Sequence, residues 1–103
     1  MTPDVFDALA NPIRRDLLGL LRDGPLPVGE LAGRFDRGRP AISEHLKVLK
    51  DAGLVREEPR GRHRYYHLSP TPLREVAAWL RAYEHFWASK LTNLEAFLDR
   101  EQT

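Results

Sequence analysis

The apolar residues near the start of the chain recur three and four positions apart, the spacing of one face of an α-helix. A first short helix is predicted to end near Asn11. A second is predicted to begin there, because Asn is a good N-cap and Pro12 suits the first helical position. It is expected to stop at residues 23–25, which read Asp-Gly-Pro.

Two further helices follow, over about residues 28–35 and 39–52. Both have apolar positions at helical spacing, and Gly53 is predicted to be the left-handed cap of the second. Between them, residues 36–38 read Asp-Arg-Gly and predict a short polar turn. Two helices joined by a turn of about three residues that includes a Gly are typical of a helix-turn-helix.

Residues 54–68 predict a two-stranded β-hairpin. Tyr65 and Tyr66 favour a strand, and Gly61 stands where a tight turn is needed. The turn is strongly basic, so the hairpin is expected to have a basic tip. The overall prediction is a mainly α fold with a small β-hairpin: a winged helix-turn-helix of five helices plus a wing.

Thr71 and Pro72 again form a cap followed by a proline, and they predict a last helix that runs unbroken to about residue 99. Nearly thirty helical residues span roughly 40 Å. A domain of about 100 residues has twice its radius of gyration near 26 Å. The last helix is therefore expected to project from the domain or to pack on something outside the monomer.

The apolar face of this last helix is too wide for one small domain to cover, and it includes two Trp residues. The first interpretation is a two-fold dimer interface to which the first helix also contributes. An intramolecular core is the alternative, and the aromatic rings could also line a ligand pocket at the interface. The predicted interface residues are Phe6, Leu9, Leu80, Tyr83, Trp87, Leu91 and Leu94.

Charge is unevenly distributed along the chain. Nine Lys and Arg residues against five Asp and Glu residues lie between residues 34 and 67, whereas the remainder has seven against ten. A basic middle between acidic flanks is typical of a surface that meets a polyanion, although an ordinary solvated surface is the alternative.

The predicted helix 39–52 turns its apolar residues to one side and a short, basic set to the other. A helix of this kind suits the DNA major groove, where residues near its N-terminus reach base edges. Arg39 is expected to donate twice to a guanine, and Lys47 to contact a phosphate. Glu44 either accepts from a cytosine amine or only shapes the local charge. The predicted DNA contacts are Arg39, Pro40, Ser43, Glu44 and Lys47 on the helix and Arg60, Arg62, His63 and Arg64 on the wing.

Several segments together resemble the ArsR/SmtB family of transcriptional repressors, in order and over nearly the whole chain. The Ser-x-His-Leu-x-x-Leu segment at 43–49, followed by Ala-Gly-Leu-Val at 52–55, is the most specific part. The resemblance implies a homodimeric winged helix that binds operator DNA and is often released by an inducer. It also implies that Arg39, Ser43, Lys47 and the wing arginines are DNA contacts.

The chain departs from the metal-sensing pattern of that family. It contains no Cys, which excludes thiolate ligands, and its last helix offers a single His85 beside Glu84. We therefore expect no metal site and no cofactor, and the inducer cannot be identified from motifs. The sequence looks closer to cysteine-free members whose last helix is rich in aromatic residues.

Other classes of protein fit less well. Ser43 and His45 point to different sides of their helix, and no Gly-rich phosphate loop is present, so no catalytic residues are predicted. Without a signal peptide or a membrane-length apolar run, the chain is expected to be cytoplasmic and not to contact a membrane.

The sequence thus predicts one domain, 1–103. Residues 12–68 would form the DNA-binding core and wing, and 1–11 and 70–99 the dimerisation helices. The predicted function is sequence-specific transcriptional regulation by a homodimeric repressor, which binds a palindromic operator in double-stranded DNA through the helix 39–52 and the wing 56–67. The alternative is a winged-helix protein–protein interaction module that does not bind DNA.

Overall fold

The computed structural model describes residues 3–101, apart from the side chains of residues 91, 92, 94 and 101. The helices are α1 (Val5–Leu9), α2 (Pro12–Leu21), α3 (Val28–Gly33), α4 (Arg39–Asp51), α5 (Leu73–Arg81) and α6 (Glu84–Glu101). The strands are β1 (Leu26–Pro27), β2 (Val55–Arg60) and β3 (His63–Leu68). This arrangement confirms the predicted winged helix-turn-helix, with six helices in residues 3–101 where five were expected.

The start of α2 follows the sequence closely. The Asn11 side chain accepts from the amides of Ile13, at 2.9 Å, and Arg14, at 3.2 Å, and Pro12 occupies the first turn. The same helix holds α1 in place, because Arg14 Nε donates to the carbonyl of Ala8 at 2.7 Å. Two carbonyls near the end of α1 accept from Arg14, and one from Arg15, so α1 is tied to α2 although it is only five residues long.

The connection between α3 and α4 is longer than predicted. The helix expected to reach residue 35 ends at Gly33, and residues 34–38 join the two helices. The amides of Arg34 and Phe35 bond three residues back, so the last turn tightens instead of continuing as α-helix. Phe35 remains half-buried against the core, which explains why it fits the apolar spacing of a helix that has already ended.

The end of α4 is a Schellman cap. The Leu54 amide bonds to the Leu49 carbonyl and the Gly53 amide to the Lys50 carbonyl, both at 2.9 Å. Gly53 has a φ of 79°, in the left-handed region that favours glycine, so the predicted cap is confirmed. The chain turns sharply there and enters β2 next to the helix it has just left.

The wing is part of a three-stranded antiparallel sheet, not the two-stranded hairpin that was predicted. Its strand order is β1-β3-β2, and β1 adds two residues that pair with Tyr65 and Tyr66 at the edge of β3. At the tip Arg60 pairs with His63 around a two-residue loop. Gly61 in that loop has a φ of 60°, and a Gly at the first loop position suits a type II′ turn.

One hydrophobic cluster lies between the helix-turn-helix, α1 and the base of the wing. Ile42, Leu46 and Leu49 form the buried stripe of α4, as the spacing predicted. The buried residues are Val5, Ala8, Leu17, Leu18, Leu21, Leu31, Ile42, Leu46, Leu49, Leu54 and Val55. From α5, Leu73 and Val76 are half-buried against this cluster.

The last helix is not unbroken, contrary to the prediction. It divides into α5 and α6 at Ala82 and Tyr83, whose amides bond three residues back, to the carbonyls of Trp79 and Leu80. Every described side chain from Glu84 onward is exposed. The longest dimension is 59 Å and the radius of gyration 17.9 Å, against about 13 Å for a compact chain of this length. The expectation that this end projects is therefore correct.

Candidate nucleic-acid interface

The outer face of α4 is open to solvent along its length. The buried stripe on the opposite side fixes its orientation, so the exposed face is set by the core. All five positions predicted to meet DNA are exposed: Arg39, Pro40, Ser43, Glu44 and Lys47. The structure therefore presents them together on one side of one helix.

A cleft of about 580 Å³ lies between the start of α3, the first turn of α4 and the wing. Arg39 lines it from α4, and Arg62, His63 and Arg64 line it from the wing. Groups predicted separately from a helix and from a hairpin thus meet around one concave surface. Arg60 is not among the residues that line it.

Cations on this surface differ in whether they are already paired. Within residues 3–101, neither Arg39, Lys47 nor Arg62 has an ion-pair partner or a side-chain hydrogen bond. Their charge is therefore available to an external anion. An unpaired guanidinium or ammonium is suited to the phosphates and base edges of a nucleic acid.

Two wing arginines are paired with acids. Arg60 donates to Glu58 and lies over the Tyr65 ring, 4.7 Å from its centroid. Arg64 Nη1 donates to Glu57 Oε2 at 3.0 Å, and its other guanidinium nitrogens have no partner among the described residues. The tip itself contains no acid, but the two glutamates of β2 neutralise part of its charge.

Glu57 has the most contacts of any acid near the cleft, and the sequence analysis missed it. Its side chain is 18% exposed and accepts from Lys50, at the end of α4, and from Arg64. These hydrogen bonds lower the pKa of the Glu57 carboxyl and, from the other side, raise the pKa of Lys50. The sequence did contain a signal. Glu57 comes two residues after buried Val55 on β2, so both side chains point to the same face, and an acid on an inward face needs a cationic partner.

His45 links α4 to α2 on the other side. It is half-buried, and Arg14 Nη1 lies 3.4 Å from its Nδ1. Burial and the charges of Arg14 and Arg37 lower its pKa. These effects favour the neutral form of His45, which is suited to packing instead of phosphate binding.

Three predicted dimer residues, Leu80, Tyr83 and Trp87, lie on an exposed and largely aromatic surface of α5 and α6. Trp79, Tyr83, Phe86 and Trp87 are between 46% and 58% exposed, and together with Leu80 and Lys90 they line an open groove of about 470 Å³. Phe6 of α1 joins this surface through an edge contact with Trp79, 5.8 Å between ring centroids. Leu9 is half-buried against its own core. The side chains of Leu91 and Leu94 lie outside the described residues.

The part of the chain that the structure describes contains no group of three or more His, Cys, Asp or Glu side chains that could hold a metal ion. None of its helices is both long and apolar enough to cross a membrane.

Comparisons with known proteins agree with this geometry. A family model described as a helix-turn-helix domain matches residues 9–58. The chain is 45% identical to the HTH-type transcriptional regulator Rv2034 of Mycobacterium tuberculosis, over 97% of this chain and 92% of that protein. It is 36% identical to the transcriptional repressor SdpR of Bacillus subtilis, over 75% of this chain and 86% of that protein.

The fold also has close relatives among solved structures. A crystal structure of an ArsR family transcriptional regulator superposes with a TM-score of 0.71 at 40% identity. The match covers 81% of this chain and 91% of that one. The likeness therefore extends well beyond the helix-turn-helix.

Proposed function

Because this chain belongs to the ArsR/SmtB family of DNA-binding transcriptional regulators, we propose that it is a homodimeric repressor of a palindromic operator. The observation that carries the proposal is the cleft that Arg39 of α4 shares with Arg62 and His63 of the wing. One face of one protomer offers a helix for the major groove and a basic loop for the adjoining backbone.

The two elements have different roles in this proposal. Arg39, Ser43 and Glu44 lie near the start of α4 and read base edges, with Pro40 packed against the groove wall, while Lys47 contacts a phosphate. Arg62, His63 and the free nitrogens of Arg64 contact the backbone, and Arg60 adds charge at the side of the wing. Residues 12–68 are the DNA-binding core and wing.

The dimer is proposed to form through residues 1–11 and 70–99. The support is the aromatic surface of α5 and α6, because exposed apolar patches of this kind mark association sites. A palindromic operator requires that the two-fold axis of this dimer present both copies of α4 to the same side of the assembly. We propose that the protein acts in the cytoplasm, where its DNA lies.

Selection of bound sequences from a random pool of duplex DNA tests the proposal. We expect enrichment of a palindrome whose half-sites lie about 34–36 Å apart or a multiple of that distance. A single half-site would contradict the dimer, and failure to enrich any sequence would favour the protein–protein interaction module. The selected duplex then serves as the operator in the experiments below.

We predict that divalent metals do not control DNA binding. The reason is that the chain has no Cys and α6 has a single histidine, which leaves too few nitrogen and sulfur ligands for Zn²⁺. Calorimetry of the untagged protein with Zn²⁺, Cd²⁺ and Ni²⁺ should show no site tighter than about micromolar, which is far weaker than a built Zn²⁺ site. A stoichiometric site that alters affinity for the selected duplex would contradict this.

A further inference from the structure

The last turn of α4 carries a cation on the DNA-facing side that the predicted contacts did not include. At about 100° per residue, Lys50 falls between Arg39 and Ser43 on the helix wheel, within about 20° of each. It lies about 16 Å further along the helix than Arg39. Lys50 therefore extends the exposed basic face towards the C-terminus of α4.

Lys50 differs from Lys47 in being paired. Lys47 has no ion pair with any described residue, whereas the Lys50 ammonium donates to Glu57 Oε1. The Lys50 side chain is 49% exposed, so solvent and DNA could reach it if the pair were absent. The two lysines thus lie on the same side of α4 and can be compared directly, because Lys47 has no ion-pair partner among the described residues and Lys50 has one.

Other residues hold the Glu57 carboxylate in place beside Lys50. The Arg64 guanidinium donates to its other oxygen at 3.0 Å, and the Tyr66 hydroxyl donates to the same oxygen at 3.4 Å. Tyr66 is also the partner of Glu57 across the β2–β3 ladder. Three donors from α4 and β3 converge on one carboxylate, so its orientation does not depend on the lysine alone.

We propose that Glu57 masks Lys50 and thereby lowers the sequence-independent affinity of this regulator for DNA. The inference rests on the proposed role of α4 as the reading helix. An ammonium is a compact point charge, so a carboxylate in contact with it opposes its attraction for a nearby phosphate, although Glu57 shares its charge between Lys50 and Arg64. Nonspecific DNA binding is almost entirely electrostatic. Each Lys or Arg that does not reach a phosphate therefore lowers the affinity for the many competing nonspecific sites of a genome.

The first test compares Lys47→Gln with Lys50→Gln on a scrambled duplex at several salt concentrations. Lys47→Gln should flatten the slope of log affinity against log salt by about one unit per chain. Lys50→Gln should leave affinity and slope nearly unchanged, because its ammonium is already paired with Glu57. Equal losses for the two variants would overturn the mask. This comparison leaves Glu57 intact and so does not depend on the stability of a Glu57 variant.

The second test removes the mask. Glu57→Gln should steepen the slope by about one unit per chain, which corresponds to a roughly threefold larger loss of affinity between about 50 and 200 mM salt. Adding Lys50→Gln to Glu57→Gln should abolish that gain, although Lys50→Gln alone is silent. Glu75→Gln, on exposed α5, makes the same charge change away from the cleft and corrects for net charge. Glu57 also pairs with Arg64, so a gain that persists without Lys50 would be assigned to Arg64 and would overturn the proposal.

The two tests also separate this inference from the proposed function. If Lys47→Gln weakens DNA binding and Lys50→Gln does so equally, α4 still meets DNA and only the mask is wrong. If neither lysine nor Arg39 affects any duplex, α4 does not contact DNA, and both the reading helix and the mask are wrong.

Discussion

Replacement of Trp87 by Ala should convert the proposed dimer to a monomer at micromolar concentration. The Trp87 side chain is 54% exposed within one protomer, so it contributes little to that protomer's own core. At the centre of an interface, a Trp truncation typically costs about 2–4 kcal/mol. A two-fold interface contains the residue twice, so the dissociation constant should rise by roughly a thousandfold or more.

Sedimentation velocity over a range of concentrations measures the effect directly. Ser89→Ala, two positions further along α6 and therefore on its opposite face, is the control and should remain dimeric. At concentrations low enough for both variants to be monomers, Trp87→Ala and Ser89→Ala should unfold at similar temperatures. A monomer mass for the unmodified chain would exclude this interface and the palindromic operator with it.

Arg39→Ala and Arg62→Ala should weaken DNA binding in different ways. Arg39 begins α4, where a side chain reaches base edges that differ at every base pair. Its loss should cost the operator about 1–3 kcal/mol per half-site and change a scrambled duplex much less. Arg62 is at the wing tip and is proposed to contact DNA phosphates, which are the same at every base-pair step. Its loss should weaken both duplexes alike and flatten the salt slope by about one unit per chain.

Titrations of both variants on operator and scrambled duplexes, at several salt concentrations, measure these differences. Arg74→Ala, an exposed arginine on α5 outside the cleft, is the matched control and should affect neither duplex beyond its net charge. Equal losses on both duplexes for Arg39→Ala would mean that α4 does not read bases. If the wing enters a narrow minor groove instead, Arg62→Ala should also relax preference for A·T steps.

The elements that could be predicted are those whose signals are local. Asn11 and Pro12 mark the start of α2, and Gly53 marks the end of α4, through caps that involve only neighbouring residues. The buried stripe of α4 follows from spacing alone. These features determine the exposed face of α4, which is why the predicted contacts on that helix emerge together in the structure.

The predictions that were wrong concern features that depend on residues far away in the sequence, or helix ends that no Gly or Pro marks. β1 is only Leu26–Pro27, and it becomes a strand because β3, nearly forty residues later, pairs with it. The division at Ala82 and Tyr83 contains neither Gly nor Pro, so the apolar stripe continues through it without a signal. The pairing of Lys50 with Glu57 likewise joins two elements that the sequence separates by a sharp turn.

The uneven width of the sheet has an evolutionary consequence. At its base, β3 is held between β1 and β2, next to the buried core, and any change there disturbs the helix-turn-helix that β1 leads into. Beyond Tyr65 the hairpin has only two strands, and its side chains from Arg60 to Arg64 are exposed. Apart from Gly61, with its positive φ, the tip can accept mutations at small cost to folding. In the proposed complex, such mutations would change how strongly a lineage holds any DNA without changing the bases that α4 reads.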